Sequence, residues 1–342
     1  MSTKAIAKQQ FRPIDKQQLS EYITDIAWSP DGTYLVVVTA AGELAVWQAG
    51  EITLLNCKNN YSLDCLSISA DGQWLAVAGQ AGKVQIWRLH SADFQLVTIL
   101  EYERAWIDSL VWHPQQNWLA FAVNRQVQIW DRSDKITTLD FKNSSVFNLA
   151  WHPQGNLLAA SGHGGVKVWR SYDWKQPYLL QVPGASLDCA WSSDGLYLAS
   201  GNLDRTISLL HWDNPPPWLM QGFPGKVSRV IWSQDKPLLA AACQEGISVW
   251  QYEENQWHSY ILQHDKTLKA IAFAPNSSVL ASAGDDNYIR LWQGKKIIQS
   301  LKEVNNGSCL AWHPSGKYLA AGGQNGELTI WQQSTSEKGF GH

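Results

Sequence analysis

Three Trp-His-Pro tripeptides, Trp112-His113-Pro114, Trp151-His152-Pro153 and Trp312-His313-Pro314, carry imidazoles that could bind a metal if they converged. Each histidine instead takes the place of Ser29 in Ser29-Pro30-Asp31-Gly32, so the spacing describes a recurring turn and not a ligand set. His163 and His264 have no partner at ligand spacing. Asp285-Asp286 is a paired carboxylate suited to acid–base work, but strand alternation would send its two side chains apart. The chain has no G-x-S-x-G, H-E-x-x-H, phosphate loop or G-x-G-x-x-G. Cys57, Cys65, Cys189, Cys243 and Cys309 are scattered and odd in number, without a C-x-x-C pair. They read as reduced core residues of an intracellular protein. No catalytic residue, cofactor or metal is expected.

The totals narrow the classes further. Lys and Arg number 27 against 30 Asp and Glu, a net charge of −3 with no block of like charge, so a nucleic-acid partner is not expected. Hydrophobic residues make up 45% and charged residues 17%, too apolar for a disordered chain. No apolar run is long enough to span a bilayer, and MSTKAIAKQQFRPIDKQQ lacks the apolar stretch of a secretory signal. The expectation is a soluble cytoplasmic protein without membrane insertion.

What must position these residues is a repeat. ITDIAWSPDGTYLVVVTAAGELAVW ends at Trp47 and LDCLSISADGQWLAVAGQAGKVQIW at Trp87; further copies end at Trp130, Trp169, Leu210, Trp250, Trp292 and Trp331. The eight closing positions lie 39 to 43 residues apart, and a period of that length decides the architecture. Each copy reads as four short strands: one with alternating apolar positions, a Pro/Gly turn, a second strand, a strand closing on Trp, and a less regular outer strand. The near-absence of polar residues in the first two strands implies cover on both faces, which sheets stacked around an axis provide.

This spacing with a closing Trp resembles the WD-repeat family over Phe11 to Trp331. The resemblance implies a buried hydrogen-bonded tetrad in copy seven, made of His264, Ser282, Asp286 and Trp292. Copy five keeps Ser200 and Asp204, while elsewhere the Asp position holds Ala41, Ala81, Asn124, His163, Gln244 and Asn325. The fold expected is an all-β closed propeller of eight four-stranded blades, with seven blades as the alternative. Copy eight has only QQSTSEKGFGH after Trp331, so Phe11 to Leu19 is expected to supply the outer strand of the last blade. Residues 1–10 and 332–342 then read as tails around one propeller domain at 11–331.

With seven closing tryptophans and six ending first strands assigned to the core, Trp74, Trp106, Trp118, Trp174, Trp212, Trp218 and Trp257 are left over. The loops leading into first strands share one end of the ring with those between second and third strands, the end where propellers usually bind. They carry Tyr22, Tyr61, Trp106 and Phe147 as candidate anchors, with Arg125, Arg205, Lys226, Arg229 and Lys269 as a basic arc. The expected function is a non-catalytic scaffold gripping a protein or peptide, alone as a monomer or as a subunit of a complex. The alternatives are a cofactor-binding propeller enzyme using the central channel, as in quinone-dependent dehydrogenases, and an RNA-associated scaffold.

Overall fold

A computed structural model describes residues 9–56, 60–90, 93–133, 136–142, 144–244, 246–264, 266–302 and 304–335. Among them the regular elements are all strands. Copy one shows the pattern: Ile23–Trp28, Leu35–Thr39, Leu44–Gln48 and Glu51–Asn56 pair antiparallel in that order. Second strands such as Leu35–Thr39 and Leu119–Val123 are buried at every residue, because a neighbouring sheet covers each face. The turn after the first strand is set by side chains. Ser29 Oγ donates to Asp31 Oδ1 (2.6 Å) while Gly32, at φ 75°, returns its N–H to Ser29 O (2.8 Å).

Hydrogen-bonded strands form seven sheets, six of four strands and one of six, where eight four-stranded sheets are expected from the repeat. The difference lies in copies four and five. Leu157–Arg170 holds the second and third strands of copy four in one extended run, with a register shift between His163 and Gly165. Tyr178–Trp191 then continues from the outer strand of copy four into the first strand of copy five. Backbone continuity therefore fuses the two copies into the six-stranded sheet. First strands of successive copies lie side by side, and Cys309–Trp312 of copy eight returns to Ile23–Trp28 of copy one, closing the ring.

The same devices join neighbouring copies repeatedly. Most tryptophans ending first strands donate indole N–H to the preceding copy, among them Trp112 to Ser67 O (3.0 Å), Trp232 to Ala190 O (3.1 Å) and Trp312 to Ala272 O (3.1 Å). The Trp-His-Pro histidines reach the other way. His113 Nδ1 accepts from Gln115 N (3.0 Å), which leaves the proton on Nε2 to donate to Gly155 O (2.9 Å). His152 bonds Gly195 O (3.1 Å) and His313 bonds Gly32 O (3.0 Å) in the same way. The ring of His113 meets Trp151 edge-on at 4.6 Å. A Cβ at Gly155 would lie 2.2 Å from His113 Cε1, so this glycine is required by its neighbour as well as by its φ of 75°.

Closure between copies eight and one adds a strand. Gln9–Gln18 pairs antiparallel with Glu327–Thr335 as the outermost strand of the last sheet, and Leu19 N bonds Gly326 O (2.9 Å). Phe11 is buried against Trp312 (5.4 Å, edge-on). Leu19, Ile23, Trp28, Leu328 and Ile330 form one cluster across the seam. Pairing reaches Gln9 and Thr335, so strands extend into both expected tails; 1–8 and 336–342 lie outside the described residues.

Two predictions follow from these joints. Phe11→Ala should cost about 3–5 kcal/mol in denaturant unfolding, as for buried Phe truncations; a loss below about 1 kcal/mol would show that the N-terminal strand is not fastened. Burial pushes the imidazoles of His113 and His152 below the ordinary histidine value, against the raising effect of their glycine carbonyls. Their stabilisation is therefore full above the unfolded value of about 6.5 and falls away as pH drops through the folded values. Urea midpoints between pH 7.5 and 5 should fall more steeply for the wild type than for a His113→Asn, His152→Asn double variant. Equal slopes would contradict the latch.

Candidate functional site

Tyr61 and Trp106 stand on adjoining loops that lead into the first strands of copies two and three, exposed at 58% and 56%. Trp106 is held upright although exposed, because its Nε1–H donates to Asp64 Oδ2 (2.7 Å). The other two expected anchors differ. Phe147 is not on a loop but is the bulged residue of the strand Val146–Trp151, half-buried and edge-on to His163 at 5.6 Å. Tyr22 is also half-buried, and burial raises its phenol.

The basic arc divides. Arg125 and Arg205 sit exposed in turns between second and third strands, and Lys226 is exposed on the loop before copy six's first strand. Arg229 and Lys269 belong to the first strands Arg229–Trp232 and Leu268–Phe273 and line an axial cavity of 240 Å³. Arg229 Nε lies 3.9 Å from Asp188 Oδ2, and Lys269 Nζ lies 3.7 Å from Asp285 Oδ2. Each of these two charges thus has a carboxylate nearby within the chain, while the Arg229 side chain stays 65% exposed.

Asp25, Asp64 and Asp108 line the same cavity. Burial pushes the Asp25 carboxyl up to about 6, against hydrogen bonds from Leu66 N and Ile26 N and the charge of Arg229. Asp108 is raised by burial and by the charge of Asp64. Asp25 Oδ2 accepts from Leu66 N (3.1 Å) and Asp188 Oδ2 from Val230 N (2.8 Å), each bond crossing to the next copy. These carboxylates serve as inter-copy ties. Among the described residues no three His, Cys, Asp or Glu side chains are placed to hold a metal ion together. Burial pushes the thiols up, Cys243 to about 11 and Cys309 to about 12, which keeps them protonated. Cys57 lies outside the described residues.

In copy seven, Trp292 Nε1 donates to Ser282 Oγ (2.7 Å), which also lies 2.7 Å from His264 Nε2. His264 Nδ1 lies 3.5 Å from Asp286 Oδ2, and Arg290 bonds both Asp286 and His264. Burial pushes the Asp286 carboxyl up, but the hydrogen bonds from Arg290 and Tyr288 N outweigh it and hold it below the usual range. The family pattern does not call for Arg290. Its signal is a charged residue two places before the closing Trp, where copy one has Ala45 and copy six has Ser248. Copy five replaces the tetrad with a different network, in which Ser200 Oγ donates to Asn202 Oδ1 (2.7 Å) and Asn202 Nδ2 to Thr206 Oγ1 (2.9 Å).

A second aromatic surface lies at the opposite end of the ring. Trp174 packs on Trp151 (5.9 Å) and Trp118 (6.3 Å), Trp212 on Trp191 (5.3 Å) and Tyr178 (5.6 Å), and Trp257 on Tyr197 (5.7 Å). Tyr172 there is 76% exposed. The signal was present: Trp118, Trp174, Trp212, Trp218 and Trp257 all fall in copies three to six, in or beside turns of that end.

Six segments, 15–48, 52–88, 133–170, 181–212, 257–293 and 296–332, match the family profile described as WD domain, G-beta repeat. The chain is 22% identical over 148 residues to DDB1- and CUL4-associated factor 13 of Xenopus laevis, covering 41% of this chain and 33% of that protein. It is 26% identical over 156 residues to small ribosomal subunit protein RACK1y of Oryza sativa subsp. japonica (42% and 45%). Protein hir1 of Schizosaccharomyces pombe is 25% identical over 167 residues (40% and 18%). Each match spans less than half of the relative. Among the described residues no helix is long and apolar enough to cross a membrane.

The tetrad carries a prediction of its own. Ser282→Ala removes the acceptor of Trp292 and the partner of His264 in a buried setting, which should cost about 1–3 kcal/mol. Denaturant unfolding measures it; a change under about 0.5 kcal/mol would mean that the network adds nothing to the fold.

Proposed function

Since the chain belongs to the WD-repeat family, we propose that it is a non-catalytic scaffold whose leading-loop end grips a protein partner around Tyr61 and Trp106. The observation that carries this is Trp106: a large indole held in solvent by a 2.7 Å bond to Asp64 is pre-organised for contact and buries little in the free protein. Tyr61 beside it widens the patch, and Arg125, Arg205 and Lys226 offer rim charges. Two relatives are named for assemblies, as an associated factor of DDB1 and CUL4 and as a small ribosomal subunit protein, which supports a role inside complexes.

The ring that carries these loops works, in this reading, as eight packing units. Hydrophobic clusters support the count: copies four and five, though fused in one sheet, bury Leu157, Val166 and Leu180 against Cys189, Leu198 and Leu210, as other neighbours do.

The test is a Tyr61→Ala, Trp106→Ala double variant compared with wild type by affinity purification and quantitative mass spectrometry. At least one specific partner should fall about tenfold or more while the melting temperature stays unchanged. Retention of every interactor would place the partner surface elsewhere.

A further inference from the structure

We propose that the groove between copies one and two receives an extended partner segment that is apolar on one side and acidic on the other. The proposal rests on the reading of the leading-loop end as a partner surface and names the chemistry that part of it selects. The groove encloses 820 Å³, within the range of about 300–1,000 Å³ typical of ligand sites. Its walls are Leu55 from the outer strand of copy one, Tyr61 from the leading loop, and Leu96 and Ile99 from the outer strand of copy two. Leu96 and Ile99 are 41% and 39% exposed, so apolar surface faces solvent along the groove.

Backbone geometry favours an extended occupant. Asp93–Glu101 is the outermost strand of its sheet, nine residues long without lysine or proline, and a bulge at Val97 puts Leu96 and Ile99 on the same face. Such an edge can take a further strand through main-chain hydrogen bonds, with alternate side chains entering the adjoining groove. Charge selects the other face of the occupant. Among the described residues, the charged side chains lining the groove are Lys83 and Arg104. Lys83 Nζ is 2.9 Å from Glu101 Oε1, while Arg104 is exposed in a turn at φ 55°. The comparable 550 Å³ groove lined by Phe223, Trp250 and Ile261 contains neither lysine nor arginine, so acidic selectivity belongs to the first groove.

The probe is a fluorescein-labelled peptide of alternating leucine and glutamate, about eight residues long to match the strand, with a leucine–lysine peptide as its counterpart. Fluorescence anisotropy on the full chain should show the glutamate peptide binding about tenfold or more tightly than the lysine peptide, and weakening as salt rises. Arg104→Glu should remove that preference, and Leu96→Asp should weaken both peptides, whereas Ile261→Asp in the other groove should leave binding intact. Equal affinity for the two peptides, no binding, or loss through Ile261→Asp alone would overturn the proposal. If Leu96→Asp lowers the melting temperature, Arg104→Glu on its exposed turn still decides the outcome. Failure of the peptides while partner capture still depends on Tyr61 and Trp106 would sink this groove and leave the scaffold reading standing.

Discussion

The second strands of this protein are mainly apolar and buried on both faces, and the rest of the structure follows from the need to cover them. A sheet such as that of copy one has Val36 and Val38 turned towards copy two and Leu35 and Val37 towards copy eight. Removing either neighbour would expose a full face, at roughly 25 cal/mol for each Å² of apolar surface uncovered. A linear stack would leave two such faces at its ends; a closed ring leaves none. The seam between copies eight and one is therefore the condition for the fold. It carries the inter-copy devices used elsewhere, His313 on Gly32 and Trp28 on Ala311, and adds the strand Gln9–Gln18.

With the ring closed, the polar residues inside it vary from copy to copy. Copy seven satisfies its buried indole through Ser282, copy five builds a hydroxyl–amide network around Asn202, and copy two turns the Trp87 indole to Gln85 Oε1 (3.2 Å). The axial carboxylates serve as ties, since Asp25 and Asp188 each accept an amide from the next copy. The histidines of Trp-His-Pro do the same at the opposite end. The Trp-His-Pro histidines and the axial carboxylates, which look like chemistry in the sequence, are thus engaged in joining blades.

Much of this was legible in the residues. Periodicity and two-sided burial gave an all-β propeller, and the mismatch between the ends of the repeat pointed to the N-terminal strand that pairs with Glu327–Thr335. The fusion of copies four and five was not legible, because it depends on whether Pro183 and Gly184 break the chain or let the strand Tyr178–Trp191 run on from one copy into the next. Phe147 misled because a β-bulge moves a residue from loop to strand without any change in composition. Arg229 and Lys269 misled because sequence order does not reveal that their strands face the axis, where Asp188 and Asp285 lie near them. The aromatic end of copies three to six was visible as leftover tryptophans but needed the strand directions to be assembled.

Native-state hydrogen exchange on wild type and Phe11→Ala tests the central claim, that closure is shared by the whole ring. If it is, loosening the N-terminal strand lowers protection by a similar free energy in the remote second strands Leu119–Val123 and Leu238–Cys243 as in Tyr318–Gly322 beside the seam. Lost protection confined to copies eight and one, with the remote strands unchanged, would contradict the account.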